Sequence, residues 1–110
     1  MITVQVTYTV NPEFAMRNKQ NIQRFLADFR KMDASAFWYH ISLMEDGVTF
    51  MHFSTYRNEQ IQQEVLNVPS FKAFQKERDD SGLNGTHAVR VLQFVGASSD
   101  KLVPGQVENE

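Results

Sequence analysis

One stretch of the sequence, residues 36–56, constrains the fold more than any other. It contains two alternating runs of β-branched and aromatic residues, and Asp46-Gly47 joins them. An Asp-Gly pair between two such runs favours a β-hairpin with a two-residue loop of type I′, in which both loop residues have positive φ. The sequence therefore predicts an antiparallel hairpin in which Glu45 pairs with Val48.

Counting back from this loop assigns each hairpin residue to a face of the sheet, because side chains alternate along a strand. One face carries Phe37, Tyr39, Ile41, Leu43, Phe50, His52, Ser54 and Tyr56. The other face carries Trp38, His40, Ser42, Met44, Thr49, Met51, Phe53 and Thr55. Both faces hold large apolar side chains, so both need a covering layer.

The alternating residues 2–10 predict the first strand of the sheet. A helix is expected next, with Asn11 as its N-cap. Its apolar side chains recur at helical spacing, at Ile22, Phe25, Leu26, Phe29 and Met32. The polar residues 17–21 are interpreted as a solvated part of this helix. The alternative is that Asn18 or Asn21 borders the mouth of a pocket.

The second half of the chain predicts a helix in two pieces and a last strand. Asn58 is a candidate N-cap, and Pro69 disfavours a helical conformation in the residue before it, so a break is expected at residues 67–68. Gly82 is expected to end the second piece. Residues 86–95 alternate as the last strand. The stem of Arg78 is expected to share one face of the second piece with Phe71 and Phe74. The charged residues of this half are otherwise interpreted as a solvated helix face: Glu59, Glu64, Glu77, Arg78, Asp79 and Asp80.

Composition limits the class of protein. The 110 residues form one domain, with the structured pattern over residues 1–96 and a flexible tail expected over residues 97–110. A net charge of −2 without a basic stripe argues against nucleic-acid binding. No apolar run approaches the ~20 residues of a membrane span. The chain has no cysteine and no secretory signal pattern, so a cytoplasmic location is expected.

The order of the predicted elements, β-α-β-β-α-β, indicates an α+β fold of the ferredoxin-like type. It has a four-stranded antiparallel sheet with the helices on one face. The helices would cover the face that carries Tyr39 and His52. The uncovered face would expose Trp38, His40, Met44, Met51 and Phe53. An apolar patch of this size usually marks an interface, so a homodimer through this face is expected.

The layout of residues 1–96 resembles the dimeric α/β-barrel proteins, in particular the antibiotic-biosynthesis-monooxygenase-like domains. The resemblance is most specific over residues 50–74, FMHFSTYRNEQIQQEVLNVPSFKAF. There a strand that ends in an aromatic residue is followed by a helix, a break at Pro69-Ser70 and a second helical piece with a pair of phenylalanines. The resemblance implies a dimeric α/β barrel with a ligand cleft between the helices and the sheet of each subunit.

The implied cleft lies on the helix-covered face. An apolar cavity with a few convergent polar groups suits a small hydrophobic ligand. His52 is the candidate catalytic residue, because an imidazole can exchange a proton near neutral pH or act as a hydrogen-bond partner. The candidate binding residues are Tyr8, Tyr39, Tyr56, Phe37 and Phe50.

Comparison with the members of this family refines the site. Cofactor-independent, quinone-forming members have an asparagine on the third strand and a tryptophan four residues later, and His52 and Tyr56 occupy the matching positions. Haem-degrading members use a histidine on the second helix, and residues 57–81 contain none. His40 is assigned to the dimer interface and His87 to an exposed strand start. The histidines lack metal-binding spacing, so neither a metal nor a cofactor is expected.

The sequence therefore predicts a cofactor-independent, monooxygenase-like protein that acts on a small hydrophobic aromatic or quinone-like compound. Two alternatives remain open. A non-catalytic small-molecule-binding or stress-associated protein of the same fold would bind a ligand without turnover. A structural dimer would fill the cleft with its own side chains.

Overall fold

The computed structural model describes residues 1–99, which form a four-stranded antiparallel sheet with three helices on one face. The strands are β1 (Ile2–Thr9), β2 (Phe37–Leu43), β3 (Thr49–Tyr56) and β4 (Ala88–Leu92). A 3₁₀ turn (Pro12–Phe14) leads into α1 (Ala15–Phe29), and α2 (Glu59–Leu66) and α3 (Pro69–Asp80) follow β3. The strand order β2-β3-β1-β4 confirms the ferredoxin-like prediction. Of the predicted tail, residues 100–110 lie outside the described residues.

The register of the hairpin is confirmed. The four pairs on the helix-covered face are Phe37–Tyr56, Tyr39–Ser54, Ile41–His52 and Leu43–Phe50. β1 pairs with the other side of β3, and Val6 lies opposite His52. The helix-covered face of the sheet therefore has His52 near its centre.

The hairpin loop is wider than predicted. The backbone N–H of Met44 donates to the carbonyl of Thr49, so residues 45–48 form a four-residue loop. In this loop only Gly47 has a positive φ, of 75°, so the predicted type I′ turn is wrong. The Asp46 carboxylate accepts hydrogen bonds from the backbone N–H groups of the two residues after Gly47 and from the Thr49 hydroxyl. Because the loop gains one residue on each side, the register and the faces stay as predicted.

The predicted boundaries of the helices after β3 are confirmed, whereas α1 ends at Phe29, before Met32 of the predicted apolar stripe. The Oδ1 atom of Asn58 accepts a hydrogen bond from the backbone N–H of Ile61 at 2.9 Å, so Asn58 caps α2. The break before Pro69 is present, and Gly82 follows α3 with φ of 88°. Asn11 holds the N-cap position of the 3₁₀ turn, but its side chain makes no capping hydrogen bond. Its side-chain amide instead packs across the fold and donates to a backbone carbonyl just after α3, at 3.2 Å.

The last strand is shorter than the predicted residues 86–95. Because β1 begins at Ile2, its pairing with β4 ends at the pair Thr3–Leu92. At the other end, the side-chain hydroxyl of Thr86 accepts from the backbone N–H of Thr9 at 2.8 Å and takes the place of a ladder hydrogen bond. β4 therefore has five residues.

The core lies between the helices and the covered face of the sheet. At its centre, Phe25 of α1 is fully buried, and its ring centroid lies 4.8 Å from Phe74 and 5.0 Å from Phe71. The solvated interpretation is wrong for Asn18 and Asn21, which are buried on α1. Asn18 precedes Ile22 by four residues and so continues the apolar stripe of α1 by one turn.

The charged-face interpretation is wrong for one residue. Arg78 is 5% exposed, whereas Asp79 and Asp80 are exposed as predicted. Arg78 lies four and seven residues after Phe74 and Phe71 and shares their buried side of α3, which confirms the prediction for its stem. Among the described residues, no helix is long and apolar enough to cross a membrane.

Candidate functional site

Four side chains at the centre of the covered face form a continuous series of hydrogen bonds. The Nε2 atom of His52 lies 2.9 Å from the hydroxyl oxygen of Tyr8, and its Nδ1 atom lies 2.7 Å from the hydroxyl oxygen of Tyr39. The Nδ2 atom of Asn18 donates to the same Tyr8 oxygen at 2.9 Å. The series Asn18–Tyr8–His52–Tyr39 is called the central hydrogen-bond chain below. It joins α1 to three strands of the sheet.

His52 is 2% exposed and lies among aromatic rings. The Phe74 ring stacks on it at 5.5 Å, and the Phe25 ring lies 6.3 Å away. Burial lowers the pKa of His52 from 6.5 to about 3, and electrostatic interactions with Arg78 and His87 lower it further. His52 is therefore neutral at physiological pH, and the expectation that it titrates near neutral pH is wrong.

The tyrosines around His52 are also neutral. Burial raises the pKa of Tyr8, Tyr39 and Tyr56 above the ordinary value of 10. For Tyr8 the hydrogen bond from Asn18 opposes this rise in pKa. The site therefore offers hydroxyl groups and one neutral imidazole rather than charged oxygen atoms.

A cavity of about 250 Å³ lies beside His52, between the sheet and the helices α2 and α3. It is called the central cavity below. Three of the predicted site residues, Tyr39, His52 and Tyr56, line it. The other lining residues are Val4, Val6, Ser54, Gln62, Leu66, Phe71, Gln75, Arg78, His87 and Val89. The walls are mainly apolar, and the polar groups converge from β2, β3, α2 and α3.

The other three predicted binding residues do not line the central cavity. Tyr8 lies behind His52 and reaches the cavity through the central hydrogen-bond chain. Phe37 packs edge-on against Phe29 in the core, with 5.6 Å between ring centroids. Phe50 stacks on Tyr8, also at 5.6 Å, and borders a separate groove between α1 and the hairpin.

The sequence interpretation places the stem of Arg78 beside Phe71 and Phe74 but does not include its charged group in this site. Its guanidinium carbon lies 5.1 Å from the Tyr8 ring centroid and 5.3 Å from that of Phe74, within the range of a cation–π contact. Its Nε atom donates to Asp79 at 2.9 Å, and within residues 1–99 this is its one hydrogen-bonded carboxylate. A buried cation therefore borders the apolar cavity.

The opposite face of the sheet carries no helix and is called the open sheet face below. The imidazole of His40 stacks at 5.3 Å on Trp38 and at 6.0 Å on Phe53, so three rings form a row across two strands. Met44, at the end of this face, is 50% exposed. Among residues 1–99, no group of three His, Asp or Glu side chains is arranged to hold a metal ion.

Comparisons with known proteins bear on the fold. No protein-family model matches the chain, and no curated protein does. Solved structures do match: a Mycobacterium tuberculosis protein is 18% identical with a TM-score of 0.73, and the match covers 89% of this chain and 98% of that one. A candidate antibiotic biosynthesis monooxygenase from Deinococcus radiodurans is 14% identical with a TM-score of 0.70, covering 90% and 97%.

A third structure agrees with these two. A candidate antibiotic biosynthesis monooxygenase from Nitrosomonas europaea is 8% identical, with a TM-score of 0.74 and a match over 89% of this chain and 93% of that one. Identities this low establish a shared fold and leave the chemistry to be argued from the site. The chain has the fold of these solved structures, several of which are named antibiotic biosynthesis monooxygenases.

Proposed function

We propose that the chain is a cofactor-independent monooxygenase that acts on a small hydrophobic phenol- or quinone-like compound. One observation carries the proposal: a Tyr39–His52 pair and the buried cation Arg78 border the same, mainly apolar cavity. Solved proteins of this fold that are named antibiotic biosynthesis monooxygenases support the reaction type.

The cavity suits an aromatic ring that carries one oxygen atom. Phe71, Tyr56 and the valines of β1 supply apolar walls for the ring. The guanidinium of Arg78 favours a phenolate or carbonyl oxygen, because a charge-assisted hydrogen bond in a dry site is stronger than one in water. The Tyr39 hydroxyl can hydrogen-bond the same oxygen.

The reaction requires only the substrate and O₂. The phenol loses its proton to solvent and binds as the phenolate opposite Arg78. A ring carbon then forms a bond to O₂, and the resulting peroxide anion takes a proton back from solvent. The O–O bond and the C–H bond of the same carbon then break, water leaves, and a carbonyl remains. The balance is phenol plus O₂ to quinone plus H₂O. Because its pKa is about 3, His52 acts in this scheme as a neutral hydrogen-bond partner that orients Tyr39.

The test uses 1-naphthol, whose product would be 1,4-naphthoquinone. Oxygen uptake and quinone absorbance are measured together, and oxygen-18-labelled O₂ should place one labelled atom in the quinone. Arg78→Met should lower kcat/KM by about tenfold or more, because it removes a charged partner of the reacting oxygen. His52→Gln should lower kcat/KM by a similar factor, because it removes the imidazole that orients Tyr39. Arg30→Met, at the exposed residue directly after α1, is the matched control and should leave kcat/KM unchanged. Oxygen uptake that is insensitive to both site variants would contradict the assignment.

A non-catalytic binding protein is the second candidate, and one observation favours it. The buried imidazole has a pKa of about 3, so the cavity lacks a base of ordinary strength on β3. This candidate predicts saturable binding of 1-naphthol, measured by calorimetry, with no quinone formed. Quinone formation that depends on Arg78 would exclude it.

We also propose that two copies of the chain pair through their open sheet faces. The row Trp38–His40–Phe53 and the exposed Met44 form an apolar surface that no helix of residues 1–99 covers. Sedimentation equilibrium at micromolar concentration should give twice the mass of the chain. Phe53→Glu should shift the mass to that of one chain, because it places a charge in the paired surface. Gln60→Glu, at an exposed position on α2, is the control. A single-chain mass for the wild type would overturn the proposal.

A further inference from the structure

Asn18 is fully buried, and only one end of its carboxamide has a partner. Its Nδ2 atom donates to the Tyr8 hydroxyl at 2.9 Å, whereas its Oδ1 atom has no hydrogen-bond partner among residues 1–99. A buried polar atom without a partner costs stability, so a position that keeps one calls for an explanation. Asn18 lies on the buried side of α1, four residues before Ile22, where an apolar residue would fit the pattern.

The donation from Asn18 fixes the direction of every later bond in the central hydrogen-bond chain. Because the Tyr8 oxygen accepts from Asn18, its own hydrogen is free to donate to Nε2 of His52. The opposite arrangement, with a hydrogen on Nε2, would leave the buried Tyr8 hydrogen without an acceptor among the described residues. A neutral imidazole carries one hydrogen, so this hydrogen lies on Nδ1 and is donated to Tyr39.

The last bond determines what the cavity offers a ligand. The Tyr39 oxygen already accepts from His52, and its own hydrogen has no acceptor within residues 1–99. Tyr39 lines the central cavity, so this hydrogen is available to a bound molecule. If every bond of the central hydrogen-bond chain had the opposite direction, Tyr39 would donate to Nδ1 of His52 and would offer the ligand only lone pairs.

We infer that Asn18 is a positioning residue that holds His52 as the Nδ1–H tautomer and thereby makes Tyr39 a hydrogen-bond donor to the ligand. The site then selects compounds with an acceptor oxygen, a carbonyl or a phenolate, over compounds of the same size that only donate. The ligand part of this inference rests on the proposed function. The tautomer part does not.

The first test needs no variant and no ligand. Nitrogen-15 ring spectra of the wild-type protein at pH 7 report which imidazole nitrogen carries the hydrogen, and the signals of His52 are identified by their loss in His52→Gln. The Nδ1–H form should exceed the Nε2–H form by roughly tenfold or more, because the alternative leaves a buried hydroxyl unpaired. A predominant Nε2–H form would overturn the inference.

The second test changes the residue. Asn18→Leu keeps the size and removes the donor, so the tautomer ratio should fall by about tenfold. Asn21→Leu is the matched control: Asn21 is also buried on α1, but its amide bonds Glu77 and not Tyr8. The control should keep the wild-type ratio. An unchanged ratio in folded Asn18→Leu, or an equal change in both variants, would show that Asn18 has only a packing role. If Asn18→Leu does not fold, the wild-type spectrum decides.

The third test addresses the ligand class with two bicyclic probes, 1,4-naphthoquinone, which only accepts, and 1-naphthylamine, which mainly donates. The chain has no cysteine, so the quinone cannot react with a thiol of the protein. Wild type should bind the quinone about tenfold more tightly, and Asn18→Leu should lose most of this preference. Equal affinities in the wild type would overturn the selection. If neither probe binds, the proposed function and its ligand preference fail together, while the tautomer result still decides the role of Asn18.

Discussion

On the covered face of the sheet, His52 is 2% exposed, and each of its ring nitrogens lies within 2.9 Å of a tyrosine hydroxyl. On the open sheet face, His40 is exposed, its Nε2 atom lies 3.2 Å from the Ser42 hydroxyl, and its ring stacks in a row. The two histidines belong to neighbouring strands of one hairpin. They differ because helices cover one of them.

This difference shows that the covering layer, rather than the residue type, decides what a histidine can do here. Under the helices, burial and the positive charge of Arg78 keep His52 neutral, so it serves as a link between hydroxyl groups. On the open sheet face, His40 contributes a flat ring to a surface that suits a partner. The two faces of the hairpin thus carry a candidate ligand site and a candidate protein interface, with one layer of β-sheet between them.

The largest expected difference between the two faces is the loss of unfolding free energy when a packed ring is removed. Phe25→Ala removes a fully buried ring from the covered side and should lower the free energy of unfolding by about 3–5 kcal/mol. Phe53→Ala removes a half-buried ring from the open sheet face and should cost about 1 kcal/mol in the single chain. Urea unfolding at low protein concentration measures both. Equal losses would mean that the open sheet face is packed as tightly as the core.

The next difference is in the response to pH. His52 binds a proton below about pH 6.5 when the chain is unfolded, but only near pH 3 when it is folded. The unfolded state therefore holds more protons in this window, and stability is lost as the pH falls, at about 1.4 kcal/mol per pH unit. Urea midpoints at pH 7 and pH 4.5 measure the loss.

Two variants assign this acid response to one face. His52→Gln should reduce the loss of stability between pH 7 and pH 4.5, because the side chain that titrates is gone. His40→Gln makes the same change on the open sheet face and should leave the wild-type loss in place. If both variants respond alike, the acid sensitivity does not come from the covered face.

Much of this comparison could be predicted from the sequence. Strict alternation on both sides of Asp46-Gly47 gave the register and the two faces, because a side chain's face depends only on counting along the strand. The loop width could not be counted in the same way, because loops of two and four residues give the same pairs. In the structure the loop has four residues, and the hydrogen bonds of the Asp46 carboxylate stabilise it.

The site was harder to predict than the faces. His52, Tyr39 and Tyr56 were found because they share a strand face with apolar neighbours. The sequence interpretation assigns Asn18 and the charged group of Arg78 to solvated helix faces, because polar and charged residues usually are solvated. Position is the better signal, since each continues an apolar stripe at helical spacing, Asn18 before Ile22 and Arg78 after Phe74, and for Arg78 it predicts the buried stem. Both contact Tyr8 of β1, and this contact between separate elements is seen only in the structure.

The smallest expected effect tests the row of rings on the open sheet face. His40 and Phe53 are cross-strand partners, with ring centroids 6.0 Å apart. Such pairs contribute about 0.2–1 kcal/mol, so a double-mutant cycle of His40→Ala and Phe53→Ala should give a coupling energy of this size in the single chain. The same cycle measured on the self-association constant should give a larger coupling if a second copy covers the row, because excluding water strengthens each contact. A coupling that is equal in both measurements would mean that the rings stabilise the hairpin alone and that any partner binds elsewhere.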